Sequence, residues 1–203
     1  MNPRTTDKLA KIVLWATGYL LIFILVVFIG YMLYKGLPVL TPHFLFSASS
    51  DMEAGGGVGG QLFNTFYILF LSMVVSGIIA VGAAIYLAEY APNNWVTKFI
   101  RLSTESLATI PSIVLGLFGM IIFVDFLGMG FSILGGSLAL SLLNLPLLVR
   151  VTEDALRQVP NTYREASLAL GATKWQTIYK VVLPAAFGSI VTGFMLAAGR
   201  AIG

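Results

Sequence analysis

The sequence predicts an all-α, polytopic transmembrane helical bundle, and three observations carry that expectation. Of 203 residues, 58% are hydrophobic and 10% charged, with a mean hydropathy of +0.91. An ordinary soluble domain has roughly 45–50% apolar and about 25% charged residues. Five stretches are long enough to cross a bilayer, which takes about 20 mostly apolar residues in a helix. The basic residues, finally, are distributed unequally between the connecting segments. The same composition excludes disorder, which needs low hydrophobicity and high charge. It excludes a nucleic-acid partner too, because twelve Lys and Arg dispersed over the chain form no basic stripe despite the pI of 9.2. With no Cys and one His, His43, the sequence offers no disulfide, thiolate nucleophile or His cluster. It also contains no G-x-x-x-x-G-K-[ST] phosphate loop.

The first span is Ile12 to Tyr34, bracketed by Lys11 and Lys35 and too long for a signal peptide. The second, Leu62 to Ala88, is uncharged until Glu89, and the third runs from Ser106 to Val124 between Glu105 and Asp125. The fourth is Phe131 to Val149, ended by Arg150. The fifth starts near Val181 and carries one internal charge, Arg200. The chain thus divides into 1–61 (tail, anchor helix and outer loop) and 62–203 (the bundle core), the latter including a polar loop at 150–180. Residues 1–11, 89–104 and 150–180 hold ten of the twelve basic residues. Lys- and Arg-rich short loops stay cytoplasmic, so the N-terminus is expected inside and loop 36–61 outside.

That outer loop holds Asp51, Glu53 and a glycine run, Gly55–Gly57 with Gly59 and Gly60, which reads as a flexible outer loop because no strand precedes it and no Lys-Ser/Thr follows. Gly77, Gly82, Gly116 and Gly119 are expected to permit close helix approach. Pro111, Pro146 and Pro184 free backbone groups inside or beside spans, and Thr109 and Ser112 are placed to satisfy such groups. Asn144 is expected to hydrogen-bond across helices. Trp15, Trp95 and Tyr34 suit interfacial belts, and Glu89 and Asp125 read as interfacial charges.

The loop 150–180 is the most informative. Arg150–Asp154 and Glu153–Arg157 have i,i+4 spacing, which predicts a solvated extension of the fourth span over 151–159, stopped by Pro160. Thr162 and Glu165 have capping-box spacing, and Gly171 suits the position past a helix end. A helix of about two turns is too short to be stable alone, so Ala166, Leu168, Ala169 and Leu170 are expected to dock on something. That surface is either this chain's own helix ends or a partner. Arg200, inside a span, is costly there unless it faces a cavity or the interface, and its planar fork suits an oxyanion.

Glu165-Ala166-Ser167, then Gly171, then Val181 and Leu183-Pro184 resemble the EAA motif of ABC-importer permeases, with Ser167 and Val181 as the two departures. Ile110-Pro111-Ser112 followed by Gly116-Leu117-Phe118-Gly119, the stretch Leu145 to Pro160, and Gly199-Arg200-Ala201-Ile202-Gly203 resemble the phosphate-specific PstA-type permeases of that family. The resemblance covers the chain from about Gly55 onward. It implies a non-catalytic subunit in the bacterial inner membrane, with ATP and Mg bound by a separate ATPase. The implied partners are a second, PstC-type permease, an ABC ATPase dimer, an extracytoplasmic phosphate-binding protein and the lipid bilayer, with no nucleic acid. It places ATPase coupling at Glu165, Ala166, Ser167, Leu168, Gly171, Leu183 and Pro184, and the substrate pathway at Arg200. It further implies six spans, so the sequence is expected to be one helix short. Permeases for molybdate, sulfate or amino acids share the EAA pattern, and an inactive fragment is a further alternative. A membrane-embedded hydrolase would need in-span Ser–His, paired Asp or His-rich groups, which this sequence lacks.

Overall fold

A computed structural model describes residues 3–48 and 56–202 as helices and connecting turns, with no strand among the described residues. Asp51, Glu53, Gly55 and Gly203, singled out above, lie outside the described residues. The chain divides into two compact units, residues 1–62 and 63–203.

In the first unit, α1 (Pro3–Gly36) is apolar on all sides, and its described side chains are almost all exposed. A helix of that kind has lipid as its solvent. Thr41 caps the short helix α2 (Pro42–Phe46), accepting from the Phe44 N–H at 3.2 Å. A Cβ at Gly57 would collide with the Phe44 and Ser47 carbonyls, and one at Gly59 would be tightly pressed on the Phe46–Ser47 backbone. The Gly57, Val58 and Gly59 N–H groups donate to Ala48, Phe44 and Ser47 carbonyls. Within the loop expected to be flexible, the end of the glycine run is therefore a tight backbone seat, because glycine lets two backbones meet at this separation.

The core of the second unit is built from α3 (Gly59–Ile85, its first residues in the first unit), α6 (Ile133–Gln158) and α9 (Leu183–Ile202). Small residues set the spacing. Gly77 receives the Phe194 ring, Gly193 lies against Val151, and Gly119 lies against Ala139. Gly82 and Gly116 face open space, so two of the four glycines expected at close approaches are found there. The core consists of Ala80 and Ala84 from α3, Leu148, Val149, Ala155 and Leu156 from α6, and Ala186, Ile190 and Ala197 from α9. A serine track seals α3 to α6: Ser141 Oγ donates to the Ser72 carbonyl across the interface at 3.1 Å. Asn144 is 1% exposed, yet neither its amide nitrogen nor its oxygen has a partner among the described residues, contrary to the expected cross-helix bond.

The third expected span is not one helix. α4 (Trp95–Thr109) and α5 (Ser112–Gly119, continued by a π turn over Met120–Phe126) meet at a bend of 100°. Pro111 forces the preceding Ile110 into extended backbone (ψ 134°) and removes a helical donor, so the axis breaks there. Thr109 Oγ1 donates to the Ser106 carbonyl at this break, as expected of a hydroxyl beside a proline. The helix before Pro160 runs to Gln158, but only one face of its extension is solvated: Asp154, Arg157 and Gln158 are exposed, whereas Thr152 and Glu153 are buried and Ala155 and Leu156 pack against α3 and α9. The fifth apolar segment is helical from Lys174. It begins as α8 (Lys174–Thr177) and passes through a π turn (Ile178–Val182) into α9. The Leu183 N–H donates five residues back to Ile178. This wider turn precedes Pro184, whose ring would otherwise press on the carbonyl four residues earlier.

Candidate functional site

The loop after α6 folds into α7 (Asn161–Ala169), as the spacing around Gly171 predicts, but its start differs from expectation. Pro160 occupies the cap and no side chain caps the helix, so the Thr162–Glu165 capping box does not form. The box that does form belongs to α8: Thr173 accepts from the Gln176 N–H at 3.3 Å, and the Gln176 side chain accepts from the Thr173 N–H at 2.8 Å. It obeys the same S/T-x-x-E/Q rule and was readable from sequence. At the other end of α7, Gly171 has φ +83°. The Ala172 N–H reaches the Ser167 carbonyl at 3.2 Å and the Gly171 N–H the Leu168 carbonyl at 2.9 Å. This paired closure requires a left-handed residue, a conformation glycine adopts without steric cost.

Two polar side chains attach α7 to the body. Ser167 and Thr177 hydroxyls hydrogen-bond at 2.9 Å. Arg164 makes the larger anchor. Its Nη2 and Nε donate to Glu89 Oε1 at 2.6 and 3.1 Å, its Nη1 to the Val159 carbonyl at 2.7 Å, and its Nη2 to the Leu156 carbonyl at 2.8 Å. The pair is buried, with side chains 17% and 8% exposed. Glu89 sits in the π turn Tyr86–Tyr90 that ends the second span, and this pairing buries its carboxylate there. Arg164 therefore joins α7, the end of α6 and the end of α3. Lys174 adds a cation–π contact, 4.5 Å from the Tyr90 ring centre.

A second arginine cluster lies beside the first. Glu153 Oε1 accepts from Arg101 Nε at 2.8 Å and from Arg157 Nε at 3.0 Å, and both arginines also donate to the Leu87 carbonyl. The expected Glu153–Arg157 pair is thus present within a three-membered group. Arg150 instead reaches Glu105 across to α4 at 2.6 Å rather than pairing with Asp154. These residues line a charged cleft of about 210 Å³.

The residues expected to dock are presented outward. Ala166, Leu168, Ala169 and Leu170 are exposed, as are Glu165 and Tyr163. Leu170 is 89% exposed, which makes it the most prominent apolar side chain of this loop. Pro184 is exposed and Leu183 half-buried below the loop. The structure thus gathers Glu165–Gly171 on one short element and places Leu183 and Pro184 beyond the π turn. Arg200 is remote from all of them. It lies on an exposed face of α9, sixteen residues or about 24 Å past Pro184, and pairs with no group among the described residues.

A polytopic helical membrane protein with a short, pinned, outward-facing helix between two spans has the architecture of a transporter's membrane subunit. The sequence signature described as "Binding-protein-dependent transport system inner membrane component" matches residues 80–203, and the chain belongs to that family. It is 48% identical over 203 residues to the probable ABC transporter permease protein YqgI of Bacillus subtilis, spanning 100% of this chain and 69% of that protein. It is 34% identical over 169 residues to the phosphate transport system permease protein PstA of Xylella fastidiosa, covering 83% of this chain and 59% of the relative. For PstA 2 of Mycobacterium tuberculosis the identity is 36% over 169 residues, covering 83% and 55%. Against PstA proteins the chain therefore spans between half and three-fifths of the relative's length. A solved inward-facing structure of the MetNI methionine ABC transporter superposes with a TM-score of 0.65 at 22% identity, covering 72% of this chain and 70% of that one. At that identity it shows the fold alone. The protein is a multi-pass inner-membrane ABC permease subunit. Its homologues are not catalysts, and ATP hydrolysis resides on a separate subunit.

Proposed function

We propose that this chain is one of two permease halves of an ATP-driven importer of inorganic phosphate, oriented with its N-terminus and α7 in the cytoplasm. The partners in this reading are a second, PstC-type permease, an ABC ATPase dimer and an extracytoplasmic phosphate-binding protein. The observation that carries the coupling role is the construction of α7. Its polar side chains Arg164 and Ser167 grip the protein while Leu168 and Leu170 project outward, so a partner's groove supplies the burial that a nine-residue helix lacks. A groove moving on ATP closure would carry the ends of α3 and α6 with it through Arg164. Glu165, Ala166, Ser167, Leu168 and Gly171 form the gripped element, with Leu183 and Pro184 at the start of the span it drives.

The phosphate assignment is supported by the PstA relatives and by the chemistry of Arg200. Its guanidinium is an always-charged fork matched to tetrahedral oxyanions, and it has no internal partner among the described residues. The test is uptake of radiolabelled phosphate by the assembled complex. Gly171→Asp is expected to abolish ATP-coupled uptake while insertion is retained, and Arg200→Gln to abolish uptake while ATPase association is retained. Undiminished uptake in either variant removes the corresponding role. Uptake of a different oxyanion or amino acid by the parent complex would replace phosphate as the substrate and leave the coupling assignment intact.

A further inference from the structure

We propose that α4 is not half of a span but an interfacial helix. In this arrangement it lies in the membrane plane with Trp95, Phe99 and Leu102 set into the headgroup–acyl boundary on the α7 side of the bilayer. The inference needs only the membrane class of the protein and is independent of its substrate.

The placement follows from four contacts and one angle. Gly119 faces Ala139, and Phe123 lies against Gly135, so four residues forward along α5 and its π turn match four residues back along α6. These segments are antiparallel neighbours. α4 departs from that axis by 100° and therefore crosses α6 nearly at right angles. The level of the crossing is set by Arg101 on Glu153 and Arg150 on Glu105, at 2.8 and 2.6 Å. Both α6 residues lie just beyond Ile133–Val149, the uncharged part of the helix. α4 thus crosses where the apolar interior ends. Its fifteen residues reach about 22 Å, short of the roughly 30 Å hydrocarbon thickness.

The faces of α4 suit that position. Thr97 is buried and Arg101 and Thr104 turn toward the protein. Trp95, Phe99 and Leu102, at i, i+4 and i+7, are 76%, 56% and 61% exposed, and the Trp95 and Phe99 rings stack at 5.7 Å. Lys98 is exposed on the flank of this face, where its ammonium reaches lipid phosphates while its stem lies over acyl chains. An amphipathic helix with aromatic and aliphatic residues outward and a flanking Lys is the pattern of a membrane-surface element.

The chain contains no cysteine, so single substitutions report alone in this subunit. Phe99→Cys, Leu102→Cys and Ser106→Cys on α4, and Phe118→Cys on α5, would each carry a nitroxide in the full complex reconstituted into vesicles with cysteine-free partners. Depth is read from the ratio of oxygen to nickel-chelate accessibility. The three α4 labels are expected at one shallow depth, within about 3 Å of each other, with position 118 clearly deeper. A helix crossing the membrane instead deepens by 1.5 Å per residue, about 10 Å from 99 to 106, and that gradient would overturn the proposal. So would protection of positions 99 and 102 from both reagents, which would show a protein subunit on this face. As a label-free check, Trp15→Phe/Trp175→Phe leaves Trp95 as this subunit's tryptophan. Its fluorescence is expected to be quenched more by lipids brominated near the glycerol than by those brominated near the chain end, and the reverse order refutes the interfacial placement.

Discussion

Replacing Arg164 with Ala is the sharpest test of how α7 is held. The substitution removes the partner of Glu89, whose side chain is 8% exposed, and the donors to the Leu156 and Val159 carbonyls. Breaking a buried ion pair from one side costs about 3–5 kcal/mol, because the remaining charge is left without compensation. Each orphaned carbonyl adds up to about 1–3 kcal/mol if water does not replace the donor. Truncating the arginine also opens a path for water to Glu89, so the low end, about 3 kcal/mol, is the appropriate expectation. At 1.4 kcal/mol per decade this raises local opening about 100-fold. The assay is amide hydrogen exchange at Leu170, Gly171 and Ala172, whose N–H groups close α7 onto Ala166, Leu168 and Ser167. Glu89→Gln in the same background completes a double-mutant cycle, and the pair is expected to cost well under the sum of the singles. Exchange within a factor of about two of the parent, or strict additivity, would show that Ser167–Thr177 and the backbone hold α7 instead.

Three further outcomes follow from packing and polarity. Gly193→Val should destabilise the protein by about 1–3 kcal/mol, since the new side chain meets Val151. Val151→Ala should restore much of this loss in thermal unfolding of the solubilised protein, and no restoration would mean that α6 and α9 do not meet there. Asn144→Leu should be neutral or stabilising by up to about 2 kcal/mol, because it removes two buried groups without partners. A clear loss of thermal stability would show that Asn144 has a partner in the membrane. Glu153→Gln should weaken the Arg101 and Arg157 contacts together and raise hydrogen exchange on α4 more than on α9. An unchanged α4 would refute its attachment through this carboxylate.

The helical class, four of the spans and α7 were visible in the sequence because each depends on local quantities: an uncharged run, a proline stop, a glycine four residues past a small-residue cluster. Gly171 is the clearest case, since the left-handed φ of +83° is what its position after Leu170 required. The third span failed for a non-local reason. Hydropathy averages over Ile110–Pro111 and is blind to direction, so two short helices at 100° read as one. The Thr162–Glu165 box failed because Pro160, a helix stop in the sequence reading, itself took the cap and let the helix start at Asn161. Glu89 with Arg164 and Glu153 with Arg101 are separated by 75 and 52 residues, and no spacing rule joins such pairs.

A signal for those pairs nevertheless exists in the prolines. The Leu87 carbonyl, in a π turn, would look five residues ahead to Pro92, which has no N–H, while the Ala91 N–H is taken by Tyr86. The Leu156 carbonyl would look four residues ahead to Pro160, with the same result, and receives only a long 3.4 Å contact from the Val159 N–H. Two helix ends therefore carry acceptors that cannot be satisfied by the chain's own backbone progression. Both are filled by arginines: Arg101 and Arg157 at Leu87, and Arg164 at Leu156. Arg suits the requirement because one planar, pre-organised fork serves a carbonyl and a carboxylate at once. Three of the basic residues that mark this side of the membrane in the sequence are thus committed to closing helix ends. Their carboxylate partners, Glu89 and Glu153, are buried where each pairs with an arginine that also closes a helix end. A proline at the end of an apolar helix with an arginine in the adjoining polar loop is thus a readable prompt to search for a buried acid.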